Sequence, residues 1–83
     1  MFYVYILRSK ETGKLYAGYS TDLKSRIKKH FNKGVHTTKR MGPIKLIFYE
    51  AFSSEKDAKR REGYFKTTKG KRALKIMLKD SLK

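Results

Sequence analysis

The chain has no cysteine at all. No disulfide and no thiolate metal site can therefore hold it together, and its hydrophobic core has to suffice. It has a single proline, Pro43. No apolar run approaches the length needed to span a bilayer, and the N-terminus lacks the basic, apolar, then small-residue order of a secretion signal. A cytoplasmic protein without membrane contact is the expectation. Acidic residues are scarce: seven against 22 Lys and Arg, for a net charge of +15. Between Leu23 and Tyr49 there is none, while Lys24, Arg26, Lys28, Lys29, Lys33, Lys39, Arg40 and Lys45 all fall in that span. A surface so one-sided in charge favours a polyanionic partner. With Tyr and Phe interleaved and no membrane-type amphipathic helix, nucleic acid fits better than an anionic bilayer.

What is present in quantity is aromatic: five Phe and six Tyr in 83 residues, enough to expect one small folded domain spanning 1–83. Phe2-Tyr3-Val4-Tyr5-Ile6-Leu7 reads as a strand, Ser9 to Lys14 as a polar turn containing Gly13, and Leu15-Tyr16-Ala17-Gly18-Tyr19 as a second strand. Ser20, Thr21 and Asp22 offer a helix N-cap and Gly34 a stop. Between them Leu23, Ile27 and Phe31 recur as one stripe predicted to be buried, and Arg26 and His30, four apart, share a flanking face. Val35 to Pro43 is an irregular connector in which His36 reads as a surface residue. Ile44 to Tyr49 reads as a third strand, buried on both faces in its middle. A second helix opens at Ser53 or Ser54, with Ser54 and Asp57 at capping-box spacing and Ala58, Glu62 and Phe65 facing inward. A third, about Lys71 to Lys79, offers Leu74, Met77 and Leu78 to the core. The order β-β-α-β-α-α predicts a small α+β domain, a three-stranded antiparallel sheet flanked by helices.

This layout lets Tyr5 and Tyr16 meet across the hairpin with Arg26 and His30 beside them. Two phenols, a guanidinium and an imidazole form a phosphate-handling set. A strand tyrosine is commonly a packing residue. A phenol, whose ordinary pKa is about 10, becomes a base only where its proton is made easy to lose. Arg26 has no acidic neighbour after Asp22, and an unpaired guanidinium suits a phosphate. His30 can relay a proton or simply cap the helix dipole. Glu62 is an inward carboxylate on a helix loaded with Lys56, Lys59, Arg60 and Arg61. It is either half of an ion pair or a ligand for one Mg²⁺ or Mn²⁺, which takes few carboxylates and completes its shell with water and phosphate.

These residues resemble the GIY-YIG nuclease family. Tyr3-Val4-Tyr5 takes the GIY place and Tyr16-Ala17-Gly18 the YIG place, with ten residues between Tyr5 and Tyr16. The stretch from Tyr16 to Phe31 is similar to the same segment of intron-encoded homing endonucleases. Lys59-Arg60-Arg61-Glu62-Gly63-Tyr64-Phe65-Lys66 looks like the Glu-bearing helix of short, stand-alone bacterial members. The resemblance implies metal-dependent hydrolysis of nucleic-acid phosphodiesters, DNA ahead of RNA. It also implies one divalent ion at Glu62, Tyr5 and Tyr16 as active-site phenols with Tyr5 favoured as the base, Arg26 as phosphate clamp and His30 as relay. Lys24, Lys28, Lys29, Lys33, Lys39, Arg40 and Lys66 are the expected nucleic-acid contacts, and a partner protein could supply specificity. Two departures stand out: Tyr3 replaces the motif's first Gly, and the Asn that many relatives carry after the Glu is absent, leaving Lys66 or Thr68 to stand in. The rival readings are a non-catalytic nucleic-acid binder, which needs neither metal nor Glu62, and a ribosome- or RNA-associated structural protein.

Overall fold

The structure, a computed structural model, describes residues 1–32 and 39–83. Lys33, Gly34, Val35, His36, Thr37 and Thr38, and with them the expected helix stop, part of the connector and one expected nucleic-acid contact, lie outside the described residues. The elements run β1 (Phe2–Ser9), β2 (Leu15–Ser20), α1 (Leu23–Phe31), β3 (Ile44–Phe52), α2 (Glu55–Phe65) and α3 (Thr68–Met77), the predicted order.

The sheet is antiparallel with strand order β2-β1-β3. The strand with the longest unbroken apolar and aromatic run, Phe2 to Leu7, takes the centre because only there can both faces be covered: Val4, Tyr5, Ile6 and Leu7 are each at most 1% exposed. Alternation along β1 splits these into two cores. Val4 and Ile6 pack with Ala17 against Ala58 and Phe65 of α2 and Leu74 and Leu78 at the end of α3. Tyr5 and Leu7 pack on the opposite face against Ile27 of α1, with Tyr16, Leu23, Ile44 and Leu46 around them. Each such side chain, fully buried, contributes about 1.5–3 kcal/mol of transfer free energy.

The hairpin is closed by Gly13 at φ 75°, whose N–H donates to the Ser9 carbonyl. That left-handed conformation is why the turn carries a glycine. Asp22 caps α1 by accepting from the Ser25 N–H at 3.1 Å.

Five expectations are corrected. β3 is an edge strand with half-exposed residues rather than one buried on both faces, and between Ile6 and Leu7 its register shifts, leaving Ile47 as an extra residue. Phe31 is 52% exposed, because at 100° per residue His30, seven after Leu23, lies closer to the inward stripe than Phe31 does. Met77 is 46% exposed, Leu74 and Leu78 filling that side. The capping box does not form: Ser54 is the N-cap without a side-chain bond, and Asp57 pairs with Arg60 at 3.1 Å. α3 also begins earlier, at Thr68, because Thr67 accepts from the Gly70 N–H at 3.0 Å. Among the described residues no helix is long and apolar enough to cross a membrane.

Candidate active site

Register places the two phenols. Tyr5 stands directly opposite Gly18, and Tyr16 opposite Leu7, so Tyr5 and Tyr16 are diagonal neighbours on one face with ring centroids 6.4 Å apart. Gly18 makes this possible. A methyl group on it would collide with the Tyr5 ring and hydroxyl, so the phenol lies flat across a position that only glycine can vacate. Strand alternation alone does not point to this role, although a glycine interrupting an aromatic strand is the signal of such a close approach. Tyr5 cannot readily step aside, being 1% exposed and hydrogen-bonded through its hydroxyl. Gly18→Ala is therefore expected to lower stability by about 3 kcal/mol, the upper range for forced overpacking. Urea unfolding checks it, and parental stability would remove the close-approach argument.

The partner of the Tyr5 hydroxyl is His30 Nε2, at 2.7 Å. Turning His30 toward the sheet buries it to 1% exposure and sets its ring edge-on to both tyrosines, 5.5 Å from Tyr5 and 5.3 Å from Tyr16. Burial pushes the Tyr5 phenol well above its ordinary pKa; the neighbouring Tyr16 and Glu62 add to this and the Arg26 charge opposes it. Burial pushes the His30 imidazole down, and Arg26 adds to that. The pair therefore rests as neutral phenol and neutral imidazole. It shares one short hydrogen bond along which a proton can sit on either heavy atom's side, depending on the imidazole tautomer.

Arg26 lies one turn before His30 on α1, exposed, and takes part in none of the described ion pairs. On the α2 side of the sheet two acids are already committed. Glu50 takes a bidentate bond from Arg61 at 2.9 and 3.2 Å, and Glu55 accepts from the Tyr19 hydroxyl at 2.9 Å.

Glu62 comes from α2, which packs on the other face, yet its charge is felt at the Tyr5 phenol because β2 is an edge strand. Its side chain is 23% exposed and pairs with Lys66 Nζ at 3.2 Å; the Lys66 side chain is 55% exposed. Of the two sequence alternatives for Glu62, the ion pair is the one observed, and its partner is an exposed lysine. Of the two residues expected to stand in for the missing Asn, Lys66 is brought to Glu62, while Thr68 is exposed at the start of α3.

No group of three or more His, Asp or Glu side chains converges among the described residues. A cage built by protein ligands is thus not formed there, whereas a single hard carboxylate already facing a cation suits Mg²⁺ or Mn²⁺ with water and phosphate as the other ligands. Of the expected nucleic-acid contacts, Lys24, Lys28, Lys29, Lys39, Arg40 and Lys66 are all exposed.

Two phenols and a buried imidazole thus lie together on one side of a β-β-α unit, with an arginine outside the described ion pairs on the same helix and a helix glutamate at the sheet edge. The family model described as the GIY-YIG catalytic domain matches residues 1–75. A UPF0213 protein of Clostridium perfringens is 38% identical over 84 residues, covering 100% of this chain and 89% of that protein. The UPF0213 protein YazA of Bacillus subtilis is 41% identical over 76 residues, covering 89% and 76% respectively. The solution NMR structure of a UPF0213 protein from Bacillus halodurans superimposes with a TM-score of 0.57 at 41% identity, covering 95% of this chain and 86% of that one. The chain belongs to the GIY-YIG nuclease family, and within it resembles the single-domain UPF0213 proteins.

Proposed function

We propose that the protein is a divalent-metal-dependent endonuclease hydrolysing phosphodiester bonds of nucleic acid, with DNA the favoured substrate. The observation that carries the reading is the buried Tyr5–His30 hydrogen bond beside Tyr16, under the acid-free basic helix. A phenol and an imidazole kept neutral in the interior are arranged to move a proton. Tyr5 accepts a proton from the attacking water as its own proton passes to His30 Nε2. A free phenolate, which burial makes costly, need never form. Tyr16, half-buried beside the same imidazole, orients the water or the phosphate. Arg26 meets the phosphate as charge grows on its oxygens. Glu62 would hold one Mg²⁺ or Mn²⁺, which supplies Lewis-acid stabilisation of the leaving oxygen when bound. Lys66 releases the carboxylate for that purpose, and its long exposed side chain can then turn to the nucleic-acid backbone.

The exposed cations of α1, with Lys39, Arg40 and Lys66, track the strand. They read backbone charge and not sequence, so specificity would come from the structure of the substrate or from a partner protein. Both that partner and a cytoplasmic setting belong to this proposal.

The test is cleavage of branched, single-stranded and duplex DNA, and of RNA, with Mg²⁺, with Mn²⁺ and with chelator. Cleavage that requires the ion, together with binding that weakens steeply with salt, is the expected result. Metal-independent binding with no cleavage of any substrate would favour the non-catalytic binder instead.

A further inference from the structure

We propose that the hairpin end of the sheet is a second phosphate-binding site, built on Arg8 and Lys45 and separate from the Glu62 site. The strand register sets Arg8 of β1 directly opposite Lys45 of β3. Like charges facing each other across a ladder are destabilising unless something between them carries the opposite sign. Arg8 Nε is buried without a hydrogen-bond partner, the one such side-chain nitrogen or oxygen among the described residues, and a donor left so costs free energy until an acceptor is supplied.

Beside this guanidinium lies open space for an anion. Arg8, Lys10, Thr12 and Lys45 help line a cavity of about 310 Å³ at the turn. Gly13 is part of the same lining, and its β-position lies 3.5 Å from Arg8 Nη2. One acid, Glu11, shares the lining. Glu11 enters none of the described ion pairs, and its carboxylate lies against Gly42, where a β-carbon would sit 2.8 Å from Oε2. A fixed guanidinium with a facing ammonium matches a tetrahedral oxyanion, to which arginine presents its donors in a fork. The ligand is therefore a phosphate group, either free or in a nucleic-acid chain.

This inference does not depend on the nuclease reading, and its test keeps the two apart by using chelator throughout. The full chain is titrated at constant ionic strength with inorganic phosphate and, separately, with a short oligodeoxynucleotide, while the backbone amides of Ser9 to Gly13 and Lys45 are followed by NMR. Saturable shifts there are expected. Arg8→Met and Lys45→Glu should each weaken them about tenfold, the usual worth of one charge-assisted hydrogen bond. Lys45→Glu should also melt no lower than the parent, because it turns a repulsive cross-strand pair into an attractive one. Its loss of binding then cannot be blamed on unfolding. Response to both ligands assigns the site to the phosphate group as such, and response to the oligonucleotide alone assigns it to a chain phosphate. Shifts that never saturate with either ligand, or that keep parental affinity in both variants, would overturn the proposal.

Discussion

Glu62→Gln is expected to lower cleavage by about a thousandfold or more while leaving the fold intact. A bound divalent ion is worth several kcal/mol of transition-state charge stabilisation, and each 1.36 kcal/mol is about tenfold in rate. Gln keeps the shape of Glu but removes the charge that holds the ion. The cost to stability is small because of where the existing partner sits. The Lys66 side chain is 55% exposed, and an i,i+4 pair of that kind contributes about 0.3–0.5 kcal/mol. Thermal unfolding of the variant should therefore overlay that of the parent. Binding of nucleic acid should hold or rise slightly, since one negative charge facing phosphate has gone and Lys66 is freed. A variant that folds normally and still cuts at the parental rate with Mg²⁺ would take Glu62 out of the site. A variant that melts much lower would show that the carboxylate is a structural ion-pair partner after all.

The local patterns that depend on chain neighbours were legible in the sequence. Tyrosine-rich strands around a glycine turn, the Asp22 cap, and the inward positions Ala58 and Phe65 all stand where the pattern puts them. Failures arise where two residues compete for one place. Phe31 is the better hydrophobe, yet helix geometry gives the inward position to His30, and the Tyr5 hydroxyl gives that imidazole a partner worth burying it for. β3 looks like a central strand in composition, but Lys45 and Glu50 interrupt it, whereas β1 runs unbroken from Phe2 to Leu7, occupies the centre and leaves β3 an edge. The candidate site shows the same division. Tyr5, Tyr16, Arg26, His30 and Glu62 could each be named from the chain. The packing of Tyr5 on Gly18 and the opposition of Arg8 to Lys45 could not, because both depend on strand register, which a one-residue slip would change.

Arg26→Ala should reduce cleavage by about a hundredfold to a thousandfold, the loss found when one donor to a developing oxyanion is removed. Binding should fall only a few-fold. Lys24, Lys28, Lys29, Lys39 and Arg40 remain exposed to hold the backbone, and removing one phosphate contact lowers the salt slope of binding by about one. The asymmetry follows from what the guanidinium touches: an interaction that strengthens as charge develops acts on the rate, while one already complete in the bound state acts on affinity. Arg26→Lys distinguishes charge from geometry. It keeps the cation that lowers the His30 pKa and opposes the rise at Tyr5, but it loses the planar fork. An intermediate rate is expected for Lys, with a pH profile close to the parent's. The Ala variant should lose rate and also shift its profile upward, since His30 regains basicity and Tyr5 loses the cation opposing its rise. Single-turnover cleavage across pH, with binding measured in parallel, makes the distinction. Equal losses in cleavage and binding for Arg26→Ala would reduce Arg26 to one more backbone contact.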